Sequence, residues 1–149
     1  MLGMTIADPD GIEGPPGTVT GLEFLNVNTV LTAEKTLEAV TGVTVSDDVV
    51  FSGYEMHMGE TTGADTARPL VRFSEGRVDG AVSEDGSVSG TYAHGFFAND
   101  APRRAWIARL GGKDDETIDY NARIDQALDE LAAHLEQHLD IEALMKMAR

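Results

Sequence analysis

"RPLVRFSEGRVDGAVSEDGSVSGTYAHGFF", residues 68–97, decides how the chain is built. Three β-type runs, "RPLVRF", "RVDGAVS" and "SVSGTYAH", are separated by "SEG" and "EDG". Glycine accepts the positive φ of a tight turn, so Asp85-Gly86 between alternating segments signals a hairpin. The stretch reads as a meander. In its last strand Val88, Gly90, Tyr92 and His94 share a face, because side chains alternate with a period of two. Val88 and Tyr92 are placed to pack. His94 ends the strand, and Gly95 lets the chain turn beside it.

Upstream of the meander, "VVFSGYEMHMG" (49–59) is a further strand, and its odd positions, Val49, Phe51, Gly53, Glu55 and His57, point one way. "LEFLNVNTVLT" (22–32) alternates in the same manner, with Leu25, Val27, Thr29 and Leu31 on one face. "KTLEAVTGVTV" (35–45) is ambiguous, with a strand at its end. "DPDGIEGPPGTVTG" (8–21) reads as a loop, since Pro and Gly interrupt strand and helix alike. Its opening resembles a calcium loop, but the remaining ligand positions are missing. Downstream, "NDAPRRAWIARLGG" (99–112) is a helix with Asn99 or Asp100 as cap, Pro102 in the first turn and Gly111-Gly112 as the stop. "TIDYNARIDQALDELAAHLEQHL" (117–139) carries Ile124, Leu128, Leu131, Leu135 and Leu139 as one apolar stripe. Asp140 caps a final short helix. Strands first and helices after predict a sheet covered by helices.

The 149 residues fit one domain, and 42% hydrophobic content suffices for an ordinary core. The formal net charge of −15 repels phosphate backbones and anionic lipid, which argues against nucleic-acid or membrane partners. No apolar run is long enough to span a bilayer, and the first residues lack the pattern of a secretion signal. A cytoplasmic location is expected. Cysteine is absent, which excludes disulfides, thiolate metal sites and a cysteine nucleophile within these residues.

Three groups could carry chemistry. His94, at a strand end before a loop, is either a general base or a structural histidine bonded to a loop carbonyl. Glu55 and His57, one step apart on a strand face, either orient a polar substrate or are ordinary polar residues of a half-exposed strand. Glu130, His134 and His138 follow one another at four-residue spacing on the long helix. They could share a metal, although no distant fourth ligand is signalled, and a solvated helix flank explains them better. No serine lies in an activated Gly-x-Ser-x-Gly elbow, so His94 is a base without a visible partner.

"GYEMHMG" (53–59) followed by "GTYAHGFF" (90–97) resembles the C-terminal glutamine amidotransferase domain of the cobyric acid synthase family. "MLGMTIADPDGIEGPPGTVTGLEFLNVNTVL" (1–31) is similar to the stretch after that family's nucleophile. "ALDELAAHLEQHLDIEALMKMAR" (127–149) resembles its closing helix. The resemblance implies an α/β fold: part of a class I glutamine amidotransferase (flavodoxin-like) domain, with a mixed sheet, a β-meander and C-terminal helices. It also implies an ATP- and Mg²⁺-dependent ligase of cobalamin biosynthesis. Such an enzyme amidates carboxylates of a corrinoid, adenosylcobyrinic acid a,c-diamide, with ammonia released from glutamine. His94 matches the catalytic histidine that activates a cysteine. Tyr54, Glu55 and His57 match the second signature and are expected near the site in binding or orienting roles. No metal or cofactor ligand is implied within residues 1–149.

The departures from the family pattern carry expectations of their own. The family's cysteine falls just before Met1, so the chain reads as starting within the helix after the nucleophile, without the synthetase domain. It is expected to supply the histidine half of a glutaminase site, to be inactive alone, and to self-associate over exposed apolar surface. The alternative is a non-catalytic binding domain on the same scaffold.

Overall fold

The structure, a computed structural model, describes residues 1–113 and 119–148. They fall into two compact units, Met1–Trp106 and Ile107–Arg149. The first unit holds nine strands: β1 (Thr5–Asp8), β2 (Gly17–Thr20), β3 (Val27–Thr44), β4 (Val50–Gly63), β5 (Val71–Phe73), β6 (Val78–Asp79), β7 (Ala81–Val82), β8 (Ser89–Gly90) and β9 (Ala93–His94). The main sheet runs β2-β1-β3-β4-β9, with β5 against the end of β3 and β6 against β5. Only β1 and β3 pair in parallel, so the sheet is mixed. Strands β7 and β8 form a separate ribbon.

β3 and β4 are the spine. β3 is rich in Val and Thr, which suit a pleated surface, and β4 carries Val50, Phe51, Tyr54, Thr61 and Thr62 between its glycines. Their register shifts once: Val30 pairs with Glu60, but Lys35 pairs with Met58, leaving residues 31–34 and Gly59 without partners. Before this irregularity Val27 and Thr29 are buried, and after it Val40 and Thr44 are. Two cores result. Val40, Phe51, Leu70, Val71, Phe73, Ala93 and Phe96 form the larger, with Trp106 packed on its edge. Phe51 is its centre, with ring centroids 6.3 Å from Phe73 and 5.3 Å from Phe96. Each buried phenylalanine contributes about 1.5–3 kcal/mol relative to exposure. Leu25, Val27 and Ala81 form the smaller core, flanked by Leu2 and Val88.

Several expectations are corrected. Residues 8–21 are not all loop: "GTVT" forms β2 and returns along β1, the Thr and Val side chains tolerating strand geometry where Pro and Gly stop. Residues 1–4 are not helical, and Thr5 and Ile6 already lie in a strand beside β3. The strand expected from residue 22 begins at Val27, and the ambiguous segment 35–45 is its continuation. The last meander strand is two short strands in different sheets, because the chain leaves β8 at Thr91 and β9 joins the edge of β4. Tyr92 therefore reaches β4 rather than extending the face of Val88.

Helix α1 (Asp100–Arg109) follows a short 3-10 turn at Phe96–Ala98, with Pro102 buried in its first turn. The backbone carbonyl of Asn99 accepts from Arg103 (3.3 Å). Its side chain serves elsewhere, donating to the carbonyl of Ser52 (2.7 Å) and accepting from the Ser52 amide (3.1 Å), which ties the helix start to β4. In the second unit, α2 (Tyr120–His138) is capped by Asp119 and α3 (Ile141–Met147) by Asp140, each accepting an amide at 2.9 Å. Residues 117 and 118 of the expected long helix, and residue 149 of the last, lie outside the described residues. The leucine stripe stays exposed. Among the described residues no helix is long and apolar enough to cross a membrane.

Candidate active site

His94 is brought to the sheet edge by pairing of β9 with β4, where it stands opposite Tyr54. Two glycines make this approach possible. A Cβ on Gly53 would lie 2.1 Å from the His94 carbonyl oxygen, so only glycine lets β9 come this close. Gly95, at φ +77°, takes the left-handed turn that carries the chain away. The His94 ring lies flat on Tyr54, with centroids 5.1 Å apart and planes 16° from parallel. Its Nδ1 is 2.9 Å from the Tyr92 carbonyl oxygen. A carbonyl only accepts, so Nδ1 carries the proton in this bond and the neutral ring presents its lone pair at Nε2. Among the described residues no hydrogen-bond partner occupies Nε2. A histidine bonded to a loop carbonyl and a histidine ready to accept a proton are thus one arrangement.

Glu55 and His57 occupy the other face of the sheet, since Tyr54 and Glu55 are adjacent in β4. Glu55 is almost wholly buried, at 2% exposure, and a buried carboxylate needs compensation. Arg77 supplies it with a two-pronged contact, Nη1 to Oε1 at 2.9 Å and Nη2 to Oε2 at 2.6 Å. Its guanidinium lies 4.4 Å above the Phe73 ring and also reaches Glu38 and Glu75. Burial pushes the Glu55 pKa up, but the Arg77 bonds and charge, helped by His57, outweigh it and hold the carboxyl below its ordinary value. The Glu55 bonds raise the Arg77 pKa in turn.

His57 bonds Glu55 Oε1 through Nε2 (3.2 Å) and the Gly59 carbonyl through Nδ1 (3.0 Å). Both oxygens are acceptors when Glu55 is ionised, so the two bonds form together only when both ring nitrogens carry protons. The ring stacks on Tyr92 at 4.6 Å. Tyr92 also shares a hydrogen bond with Thr61 through its hydroxyl (2.5 Å) and donates its amide to Asp79 (2.8 Å). A cavity of about 710 Å³ opens on this face, lined by Glu55, His57, Arg77 and Tyr92 among others. His94 is not part of its wall.

The expected site residues thus divide into two groups. His94 and Tyr54 are together on one face; Glu55 and His57 are together on the other. Tyr92 touches both groups. Arg77 and Tyr92 were not singled out as site residues from the sequence. The one sequence signal that could have led to Arg77 is Glu55, because a carboxylate that ends up buried needs a charged or hydrogen-bonding partner beside it. Glu130 accepts from Gln126 (2.8 Å), and the His134 and His138 rings lie 4.4 Å apart. No group of three or more metal-ligating side chains occurs among the described residues.

Comparison with known proteins agrees with the motifs. The family model described as a CobB/CobQ-like glutamine amidotransferase domain matches residues 1–102. Cobyric acid synthase of Methylorubrum populi is 59% identical over 149 residues, all of this chain and 30% of that protein. The cobyric acid synthase of Methylobacterium nodulans is 54% identical over 148 residues, 99% of this chain and 30% of that protein. That of Beijerinckia indica is 50% identical over the full chain and again 30% of its own length. The chain therefore spans less than a third of these relatives.

Proposed function

The chain belongs to the CobB/CobQ-like glutamine amidotransferase family, and from that premise we propose that it is the histidine-bearing part of a cobyric acid synthase glutaminase site. Its mixed sheet, meander and C-terminal helices fit a flavodoxin-like class I amidotransferase fold. The observation that carries the reading is the state of His94: Nδ1 is engaged by a carbonyl, and Nε2 has no protein partner among the described residues.

In the proposed reaction His94 Nε2 takes the proton of a cysteine thiol supplied by sequence outside these 149 residues. The thiolate attacks the carboxamide carbon of glutamine. The imidazolium returns the proton to the departing nitrogen, ammonia leaves, and a thioester remains. Water, deprotonated by the same Nε2, cleaves the thioester to glutamate and restores the thiol. The ammonia amidates side-chain carboxylates of a corrinoid, adenosylcobyrinic acid a,c-diamide. ATP and Mg²⁺ act in a synthetase domain outside these residues. A cytoplasmic setting suits such soluble substrates.

The 149 residues hold no cysteine, so the chain alone should release no ammonia from glutamine, with or without ATP. Grafting it in place of the matching 30% of the Methylorubrum populi relative should give an enzyme that uses glutamine. His94→Ala in that chimera should lower glutamine-dependent turnover by about 10²–10⁴-fold while leaving turnover with added ammonia intact. A His94→Ala chimera as active on glutamine as its parent would overturn the assignment. Leu37, Val50, Tyr54 and Met56 leave an exposed apolar surface on the His94 face, and the chain alone is proposed to self-associate over it. A monomer in sedimentation velocity that binds no apolar dye would refute that part.

A further inference from the structure

Activated histidines are usually oriented by a third side chain, often a carboxylate. Among the described residues the His94 ring has none: its only hydrogen-bond partner there is a peptide oxygen. A peptide oxygen orients a ring only if the peptide itself is held. Tyr92 is held at four points. Its carbonyl accepts from the Met56 amide (3.2 Å) as well as from His94, filling both lone pairs. Its amide donates to Asp79 (2.8 Å), its hydroxyl meets Thr61, and its ring lies on His57. With both ring nitrogens protonated, His57 is held from turning away by Glu55 on one side and the Gly59 carbonyl on the other, and Arg77 holds Glu55. Tyr92 lies between β8 and β9, where β4 reaches it through the Met56 amide alone and its own amide turns to the Asp79 side chain instead of to a strand. Side-chain anchors add to that one backbone bond.

We propose that Tyr92 is the positioning residue for His94, its carbonyl kept in place from the opposite face of the sheet by the Glu55–His57–Arg77 lock. The lock acts through the sheet edge and touches neither His94 nor a substrate at its Nε2. This explains why the "GYEMHMG" pair is built although it stands on the wrong face to meet the reacting atoms. The proposal rests on the reading of His94 as the base. Its test does not, because it reads a tautomer rather than activity.

The isotopically labelled chain is examined by long-range proton–nitrogen correlation of its imidazoles, with His94→Gln identifying the His94 signals. The expected result is that neutral His94 carries its proton mainly on Nδ1. His57→Gln, which removes the stacked ring, should raise the Nε2-protonated share severalfold while amide dispersion stays folded. Tyr92→Phe, which removes only the Thr61 bond, should move it the same way by less. Should His57→Gln fail to fold, Tyr92→Phe decides by the same readout. A wild-type ring protonated mainly on Nε2 overturns the proposal. So does an unchanged His94 tautomer in whichever of these variants folds.

Discussion

Glu55 shows most directly how a residue's surroundings set its behaviour. Its carboxyl is held below its ordinary pKa by Arg77 and His57 against the pull of burial. A depressed folded pKa means that Glu55 contributes stability in full above the unfolded value, about 4.3, and loses it as pH falls through the folded value. Urea unfolding of the wild-type chain should therefore weaken below about pH 4.3, and Glu55→Gln should flatten that part of the profile. At neutral pH the same variant should lose about 1.5–3 kcal/mol, the range for hydrogen bonds to a charged group; Arg77 is partly exposed and can recover water, which limits the loss. Period-two alternation already placed Glu55 and His57 side by side. Their separation from His94 was hidden, since it depends on which β4 residue faces His94, and that is fixed by pairing across more than thirty residues of chain.

The junction of β4 and β9 is where one element positions another. Gly53→Ala would drive a methyl group against the His94 carbonyl oxygen, 2.1 Å away, and should cost about 1–3 kcal/mol as overpacking. Its sharper consequence should be a change in the His94 imidazole resonances, as β9 moves off β4. Gly95→Ala forces a side chain into the left-handed region and should cost about 1–2 kcal/mol in urea unfolding. The alternating runs were legible, and so was the cap at Asp140, because those signals are local; the cap at Asp119 fell within a stretch that reads as helix from residue 117. The break of the last meander strand at Thr91 was not. Its cause is the attachment of Tyr92 to Asp79, His57 and Thr61, contacts that no local pattern encodes. β2 was concealed in a similar way, by Pro and Gly residues that end just before it.

Across the whole molecule the acidic excess is the dominant long-range term. With a formal charge of −15, self-repulsion opposes the compact state, and salt screens it over about 8 Å at physiological ionic strength. Thermal unfolding should move upward between 20 mM and 200 mM sodium chloride, as followed by circular dichroism; a flat response would show that the charges are already locally paired. The order of strands before helices was readable along the chain, whereas the division into two cores was not. That division follows from β3, whose beginning serves the smaller core and whose end serves the larger. The unpartnered residues 31–34, opposite the single Gly59, disconnect the phase of its two halves. Odd positions turn inward before them and even positions after. The strand therefore behaves as two rulers joined by a sliding coupling, and the coupling is where the molecule can take up a change in length. One residue added between Thr32 and Ala33 need invert neither face, whereas one added between Val40 and Thr41 would turn the remainder of the strand inside out.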